Sequence, residues 1–413
     1  MGQNCCAADH APDRYSGSTR RAHEVHNHST TSQPQHEVFR FFMVGMGSAG
    51  KSTVIKQLQK LCHDRPNVYK MFDEEWLPIS YEYPTHEKER YRRIIRRNVI
   101  DALGVLEHYV QLWSLRPSSS ADAQLLSELS GNFTVRERAL ERRIAASLVA
   151  LANDPAIQAA LARRSEMTGN EQIADGAVHF LSADKINEIF SDSYLPSTDD
   201  IVHSRSPTTG IQDYRFGIRG MRIQIHDIGG QKVERGKLLS YITNWMGGDR
   251  SGYRNFLLYV VSMADYNQPH PEHAGITLLD ESLMMMQNIL ELQVIHNCGV
   301  MIFFNKEDVY REKIEKCAKN EGLREDTLRL LGPYIKESDR AALRKGAAPP
   351  HDAMRKAIAK KFTENIKALD LRRYKGIYHK FTCAVDTKMM GALFAAIEDE
   401  LVNQSIDTAS WMG

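Results

Sequence analysis

A mostly parallel α/β sheet with helices on both faces, interrupted by a long all-helical insertion, is the fold class this sequence predicts. Three observations predict it. Strand-like and helix-like stretches alternate near the start and again after Ile201. The middle, from about 64 to 195, carries helical periodicity almost alone. A glycine-rich loop separates the first strand from the first helix. At 413 residues the chain has room for two domains, each with its own core.

The elements follow in order. Residues 1–37 are polar, and their five histidines (His10, His23, His26, His28, His36) are irregularly spaced. A solvated, disordered tail is therefore expected there rather than a metal site. Val38-Phe39-Arg40-Phe41-Phe42-Met43-Val44 is β-branched and aromatic and reads as a strand ending at Gly45. Ser52 to Leu61 sets Val54, Ile55, Leu58 and Leu61 at helical spacing. Tyr91 to Trp113 does the same with Ile94, Ile95, Val99, Ala102, Leu103, Leu106 and Val110. Arg138 to Leu151 and Pro155 to Arg164 continue the pattern, with a loop expected at Pro117–Ser120. Ser182-Ala183-Asp184 offers caps before Ile186, Ile189 and Phe190. Strands are then expected at Tyr214–Ile218, Met221–His226, Phe256–Val261, Val300–Phe304 and Tyr378–Thr382, alternating with helices. This divides the chain into a tail at 1–37, a sheet domain at 38–63 and 199–413, and a helical domain at 64–198.

Composition narrows the function. A formal net charge of +1 gives no whole-chain attraction to nucleic acid, so no nucleic-acid partner is expected. No apolar run approaches the roughly 20 residues of a membrane span. The six cysteines (Cys5, Cys6, Cys62, Cys298, Cys317, Cys383) form no CxxC pair, so reduced thiols in a cytosolic protein are expected.

Gly45-Met46-Gly47-Ser48-Ala49-Gly50-Lys51-Ser52-Thr53 fits GxxxxGK[ST] between a strand and a helix. Glycines let the backbone curl so that successive N–H groups face a phosphate, and the helix N-terminus adds its partial positive charge. Lys51 can then reach the outer phosphates, and the Ser52 hydroxyl is placed for Mg²⁺. The loop alone does not choose the base.

Asn305-Lys306-Glu307-Asp308 follows the apolar strand Val300–Phe304. A carboxylate at a strand end can accept from guanine N1–H and its 2-amino group, and adenine offers no matching donor pair. Asp308 is the candidate for that role, with Asn305 on the other edge of the base and Lys306 along it. Thr382-Cys383-Ala384 ends a later strand and can present the Ala384 amide to the guanine oxygen, Cys383 being simply a small buried neighbour.

Asp227-Ile228-Gly229-Gly230-Gln231 closes another strand. Asp227 can hold Mg²⁺ through water, Gly230 can bring its N–H to the γ-phosphate, and Gln231 can orient the attacking water. The stretch from Asp200 to Gly210 supplies Thr208, a second hydroxyl for Mg²⁺, and Arg205, a guanidinium for the developing charge.

These residues, in this order, resemble heterotrimeric G-protein α subunits from about Val38 to the C-terminus. Two features separate that family from small GTPases: the helical insertion between Lys51 and Thr208, and an in-chain arginine three residues before the Mg²⁺ threonine. The resemblance implies an α/β Ras-like P-loop GTPase domain with an inserted all-helical domain and GTP or GDP held between them. It implies a GTP-hydrolysing switch that couples seven-helix receptors, through the final helix Ala384–Asp407, to an effector, through the region after Gln231. Leu151-Ala152-Asn153-Asp154-Pro155 resembles the family's interdomain contact and implies that Asp154 faces Lys306 across the nucleotide. Met1-Gly2-Gln3-Asn4-Cys5-Cys6 resembles its lipid-bearing end. Myristate on Gly2 and palmitate on Cys5 or Cys6 would hold the protein on the cytoplasmic face of the plasma membrane.

The chain departs from the family at several points. Ser48 replaces a glutamate that normally faces the switch arginine, which implies a less restrained Arg205 and faster exchange. Lys232, Gly236 and Leu238 stand for Arg, Lys and Trp; glycine weakens that helix by about 1 kcal/mol, and the missing Trp removes a partner anchor. Thr243–Tyr253 and Lys345–Asp352 read as extra loops. Pro12, Gly17 and Pro34 disfavour the N-terminal helix that docks on a βγ dimer, and Trp411-Met412-Gly413 is not the usual receptor-reading end. Three alternatives remain. One is a membrane-tethered GTP-binding module with negligible hydrolysis. Another is a lipidated small GTPase of the ADP-ribosylation-factor kind, disfavoured by the insertion and Arg205. The third is an ATP-using P-loop protein, disfavoured by Asn305 and Asp308.

Overall fold

The computed structural model describes residues 37–116, 137–168, 172–208, 210–230, 232–246, 252–369 and 377–410. In chain order the elements are β1 (Val38–Gly45), α1 (Lys51–Asp64), β2 (Tyr69–Phe72), β3 (Pro78–Ile79), α2 (Thr85–Leu112), α3 (Glu137–Asn153), α4 (Pro155–Ala162), a 3-10 turn (Asp175–Phe180), α5 (Ala183–Ile189) and α6 (Thr198–His203). Then come β4 (Ile211–Ile218), β5 (Met221–Ile228), α7 (Lys232–Met246), β6 (Tyr253–Ser262), α8 (Leu278–Leu290) and β7 (Gly299–Asn305). α9 (Glu307–Lys316), α10 (Glu321–Leu331), α11 (Glu337–Arg344), α12 (His351–Lys367), β8 (Ile377–Phe381) and α13 (Thr387–Ser410) complete the fold.

The strands form one sheet in the order β3-β2-β4-β5-β1-β6-β7-β8. From β5 to β8 the neighbours run parallel, while β2, β3 and β4 pair antiparallel at one side. Side chains alternate along a strand, and both faces of a parallel sheet are covered, so its central strands read as unbroken apolar runs. In β1, Phe42 and Val44 enter a core shared with α8, α9 and α12. Phe39, Phe41 and Met43 enter the opposite core, shared with α1 and α13. β6 and β7 divide in the same way, with Tyr259 and Ile302 on one side and Leu258 and Phe303 on the other.

The helical region has a third core of its own, in which Val99, Leu103 and Leu106 of α2 meet Leu148, Ile157, Phe180 and Ile186. Its entry helices are capped as their sequences imply. The Ser182 hydroxyl accepts from Lys185 N–H, and Ser197 with Asp200 forms a reciprocal capping box on α6.

Three expectations need correction. The stretch 64–195 is not almost wholly helical, because Tyr69–Phe72 pairs antiparallel with β4 and Pro78–Ile79 extends that edge. A four-residue run is too short to show a period, so its partner strand decides its conformation. Thr243–Met246 is the end of α7 rather than loop. Leu238, which stands where the family has Trp, is buried in the sheet core beside Ile242. The final helix begins at Thr387, a little later than Ala384. The loop expected at 117–120 and the glycines at 247–248 lie outside the described residues.

Candidate functional site

The C-terminal ends of the parallel strands gather the loops that carry the motifs, where ligands of open α/β sheets bind. After β1 the chain turns through Gly45, Met46, Gly47, Ser48 and Ala49 into Gly50, whose φ of 102° suits glycine. A Cβ on Gly50 would stand 2.2 Å from the Asn305 amide nitrogen, so packing and conformation both call for glycine. No side chain caps α1, which leaves the N–H groups of its first turn, around Lys51, Ser52 and Thr53, open to an anion. Lys51 is 5% exposed, and its ammonium donates to the carbonyls of Gly45 at 2.9 Å and Met46 at 3.1 Å. It is thereby held along the loop. Gly230 passes directly over it, since a Cβ there would lie 2.2 Å from Lys51 Nζ and 2.8 Å from the same two carbonyl oxygens.

Three hydroxyl and carboxylate groups from separate segments converge beside Lys51. Ser52 Oγ donates to Asp227 Oδ2 at 2.9 Å and shares a hydrogen bond with Thr208 Oγ1. Asp227 is 1% exposed, and its Oδ1 has no hydrogen-bond partner among the described residues. Burial pushes its carboxyl up to about 6, against the Lys51 charge and the Ser52 hydrogen bond. An all-oxygen donor set around a buried carboxylate with unused capacity fits a small hard cation such as Mg²⁺.

Arg205 is held at its side chain and at its backbone. Its Nη2 donates to Ser48 Oγ at 2.7 Å, a neutral contact in place of an ion pair. Its backbone is clamped by Asn98 of α2, whose Oδ1 accepts from Arg205 N–H at 2.7 Å and whose Nδ2 donates to Arg205 O at 3.1 Å. One residue earlier, buried Lys56 of α1 donates to Ser204 O at 2.8 Å and Ser204 Oγ at 3.0 Å. Burial, helped by the Arg90 charge, pushes the Lys56 ammonium down to about 7. Sequence reasoning missed Asn98 and Lys56. Neither carries a local signal beyond being polar in an amphipathic helix.

On the other side, Asn305 is 2% exposed and fully engaged. Its Nδ2 donates to Ala49 O at 2.8 Å, and its Oδ1 accepts from Thr382 Oγ1 at 3.1 Å and Ala384 N–H at 2.9 Å. These contacts brace three loops together at the place where Asn305 and Ala384 are expected to meet a base. Asp308 is exposed at the start of α9. Burial, with the charge and hydrogen bonding of Asp308, pushes the Cys383 thiol up to about 12, so this cysteine is a packing residue and not a nucleophile.

Lys306 adopts φ of 62° and pairs with Asp175 Oδ2 at 2.7 Å. Asp154, expected across the nucleotide from Lys306, caps α4, its carboxylate accepting from Ala156 N–H at 2.8 Å. An Asp before a Pro at the first helical position is an N-cap signature, and capping decides its orientation. Burial opposes charge at the Lys306–Asp175 pair, yet mutual attraction holds the Asp175 carboxyl below its ordinary range and Lys306 above its own. The pair borders a cleft lined also by Arg164, Gln172, Asp265 and Lys313. Gln231, Gly2, Cys5 and Cys6 lie outside the described residues. Among the described residues, no single helix is long and apolar enough to cross a membrane.

Comparison with known proteins agrees with this geometry. The sequence model of the G-protein alpha subunit family matches residues 18–401, beginning upstream of the Val38 start expected from the motifs. Guanine nucleotide-binding protein subunit alpha-15 of Mus musculus is 27% identical over 386 residues, covering 90% of this chain and 88% of the relative. Its Homo sapiens counterpart is 26% identical over 371 residues, covering 89% and 87%. Guanine nucleotide-binding protein alpha-1 subunit of Mycosarcoma maydis is 24% identical over 373 residues, covering 90% of each chain.

Proposed function

The chain belongs to the G-protein α-subunit family, and from that premise we propose how its own residues carry the activity. It binds guanine nucleotide, hydrolyses GTP to GDP and phosphate, and signals as an α subunit. Lys51 and the N–H groups of the loop from Gly45 to Thr53 hold the β- and γ-phosphates. Ser52 and Thr208 would hold Mg²⁺ directly and Asp227 would hold it through water, and the bound ion would supply positive charge beside the phosphates. Gly230 presents its N–H to the γ-phosphate, Gln231 orients the attacking water, and Arg205 swings from Ser48 to the charge that builds on the phosphoryl oxygens. Asp308 selects guanine, Lys306 lies along the base, and Asn305 acts as the brace between the phosphate loop and Ala384.

The convergence of Ser52, Thr208 and Asp227 from three segments is the observation that carries this reading. Arg205 standing beside the phosphate loop supports real turnover over the alternative of a binding module with negligible hydrolysis.

The proposal extends to organisation and partners. The nucleotide lies between a sheet domain and a helical domain at about 64–198, with β2 and β3 assigned back to the sheet. The family works with receptors, effectors and βγ dimers as a peripheral membrane signalling protein. Here α13 would meet a seven-helix receptor and α7 an effector, and acylation at Gly2 with Cys5 or Cys6 would supply the anchor.

Nucleotide selectivity tests the assignment. With Mg²⁺ present, GTP should displace fluorescent GDP on the order of 10⁴-fold better than ATP, the scale at which a hydrogen-bonding site rejects an analogue. Asp308→Ala should collapse that preference. Equal competition by ATP and GTP in the wild type would contradict it.

A further inference from the structure

Away from the phosphate loop, the 3-10 turn Asp175–Phe180 lies hard against α6. A Cβ on Gly176 would stand 2.1 Å from the His203 carbonyl oxygen. This close approach brings two imidazoles together: the rings of His179 and His203 stack with centroids 4.1 Å apart and planes 12° from parallel. Asp199, one helical turn before His203 on α6, reaches toward both. Its Oδ2 is 3.9 Å from His179 Nε2 and 4.0 Å from His203 Nδ1. One donor atom from each of the three side chains lies within 4.8 Å of the others, and all three residues are half-buried.

We propose that His179, Asp199 and His203 form a binding site for a divalent transition metal of the Zn²⁺ class, stapling the 3-10 turn to α6. Tetrahedral bonds of about 2.0–2.1 Å put ligand atoms roughly 3.3 Å apart, so the side chains must close by up to about 1.5 Å. One ring must also turn out of the stack to bring its in-plane lone pair to the ion, and His203 Nδ1 must release the Asp199 carbonyl, now 3.0 Å away. Two imidazoles with one carboxylate favour zinc over Mg²⁺ or Ca²⁺, which prefer all-oxygen sets. The fourth position is left to water, because Asp200 Oδ1 is paired with Lys185 at 2.8 Å and stands 3.2 Å from His179 Nε2.

The staple would sit between two contacts that matter for the nucleotide. The 3-10 turn begins with Asp175, the partner of Lys306, and α6 leads through Ser204 into Arg205. Fixing one to the other stiffens both, so zinc should slow GDP release. Zinc binding itself does not depend on the GTPase reading; only this second effect does.

The full-length chain is the material for the test, because the tail histidines are potential competing ligands and must be present in every sample. Zinc content after equilibration with Zn²⁺ alone is compared between wild type and His179→Gln/His203→Gln, which keeps those histidines. The site predicts one equivalent fewer in the variant and a zinc-dependent rise in melting temperature in the wild type only. Equal zinc content in the two proteins overturns it. Should the double variant fail to fold, diethyl pyrocarbonate footprinting of the wild type decides. Protection of His179 and His203 by Zn²⁺ supports the site, and unchanged modification overturns it. Zinc should also slow release of fluorescent GDP from the wild type by on the order of fivefold, the low end of coupling between sites. Bound zinc with unchanged release overturns the coupling.

Discussion

The two ends of the nucleotide cleft are built on opposite plans. At the phosphate end, Ser52, Thr208 and Asp227 converge, and Asp227 keeps a buried oxygen with no partner among the described residues. At the base end the polar groups satisfy one another, with Asn305 tied to Ala49, Thr382 and Ala384, and Lys306 tied to Asp175. A buried polar group without a partner costs far more than a satisfied one. The phosphate end is thus poised to be completed by a ligand, while the base end already serves as a latch between regions. Mg²⁺ dependence should therefore respond most to the first end, and GDP release to the second.

The largest effect should come from the phosphate end. Asp227→Asn removes the charge that a cation needs, and Mg²⁺-dependent GTP hydrolysis should fall on the order of 100-fold, comparable to losing one preorganised charge-stabilising group. A titration of rate against Mg²⁺ reads this directly. Unchanged Mg²⁺ dependence would erase the contrast between the two ends.

Next comes the tether behind Arg205. In the folded chain Lys56 loses its proton near pH 7, whereas in the unfolded chain it keeps it to about 10.5. Between those values the unfolded state binds more protons, so stability rises with pH, and below about 7 the contribution is flat. The slope from this one group approaches about 1.4 kcal/mol per pH unit. Thermal unfolding followed from pH 7 to pH 10 should show a shallower rise in Lys56→Met than in the wild type. Parallel curves would mean that Lys56 is not buried as described.

The smallest effect separates two aspartates. Asp175→Ala frees Lys306 and should speed GDP release by several-fold with little change in melting temperature, because the pair is partly solvated. Asp154→Ala should do the reverse, costing about 1 kcal/mol as a lost helix cap while leaving release alone. Measuring both variants by fluorescent-GDP release and thermal melting sharpens the comparison, and exchanged phenotypes would reverse the assignment.

These residues also show what the sequence could and could not convey. The phosphate loop, Thr208, Asp227 and the Asn305 motif were legible because each sits in a short stretch whose spacing has one chemical use. β7 and the core of β6 were legible because burial on two faces leaves an unbroken apolar run, Gly299–Phe304 and Phe256–Val261. Asp175, Asn98 and Lys56 were not, since each acts on a partner far away in the chain, and a single polar residue on a helix has no local pattern to mark its target. β2 escaped for the same reason. Asp154 differs, because its cap signature beside Pro155 was readable and was outweighed by a motif resemblance.

The central claim is that this chain cleaves GTP with its own residues. Single-turnover hydrolysis with Mg²⁺, run on wild type, Arg205→Cys and Gln231→Leu, tests it most directly. Both substitutions should slow cleavage, Arg205→Cys by on the order of 10³-fold, a scale taken from arginines already known to act on GTP in this family and its relatives rather than from this structure. Wild-type protein that binds GTP yet cleaves it no faster than either variant would contradict the account and leave a binding module whose timing lies in a partner.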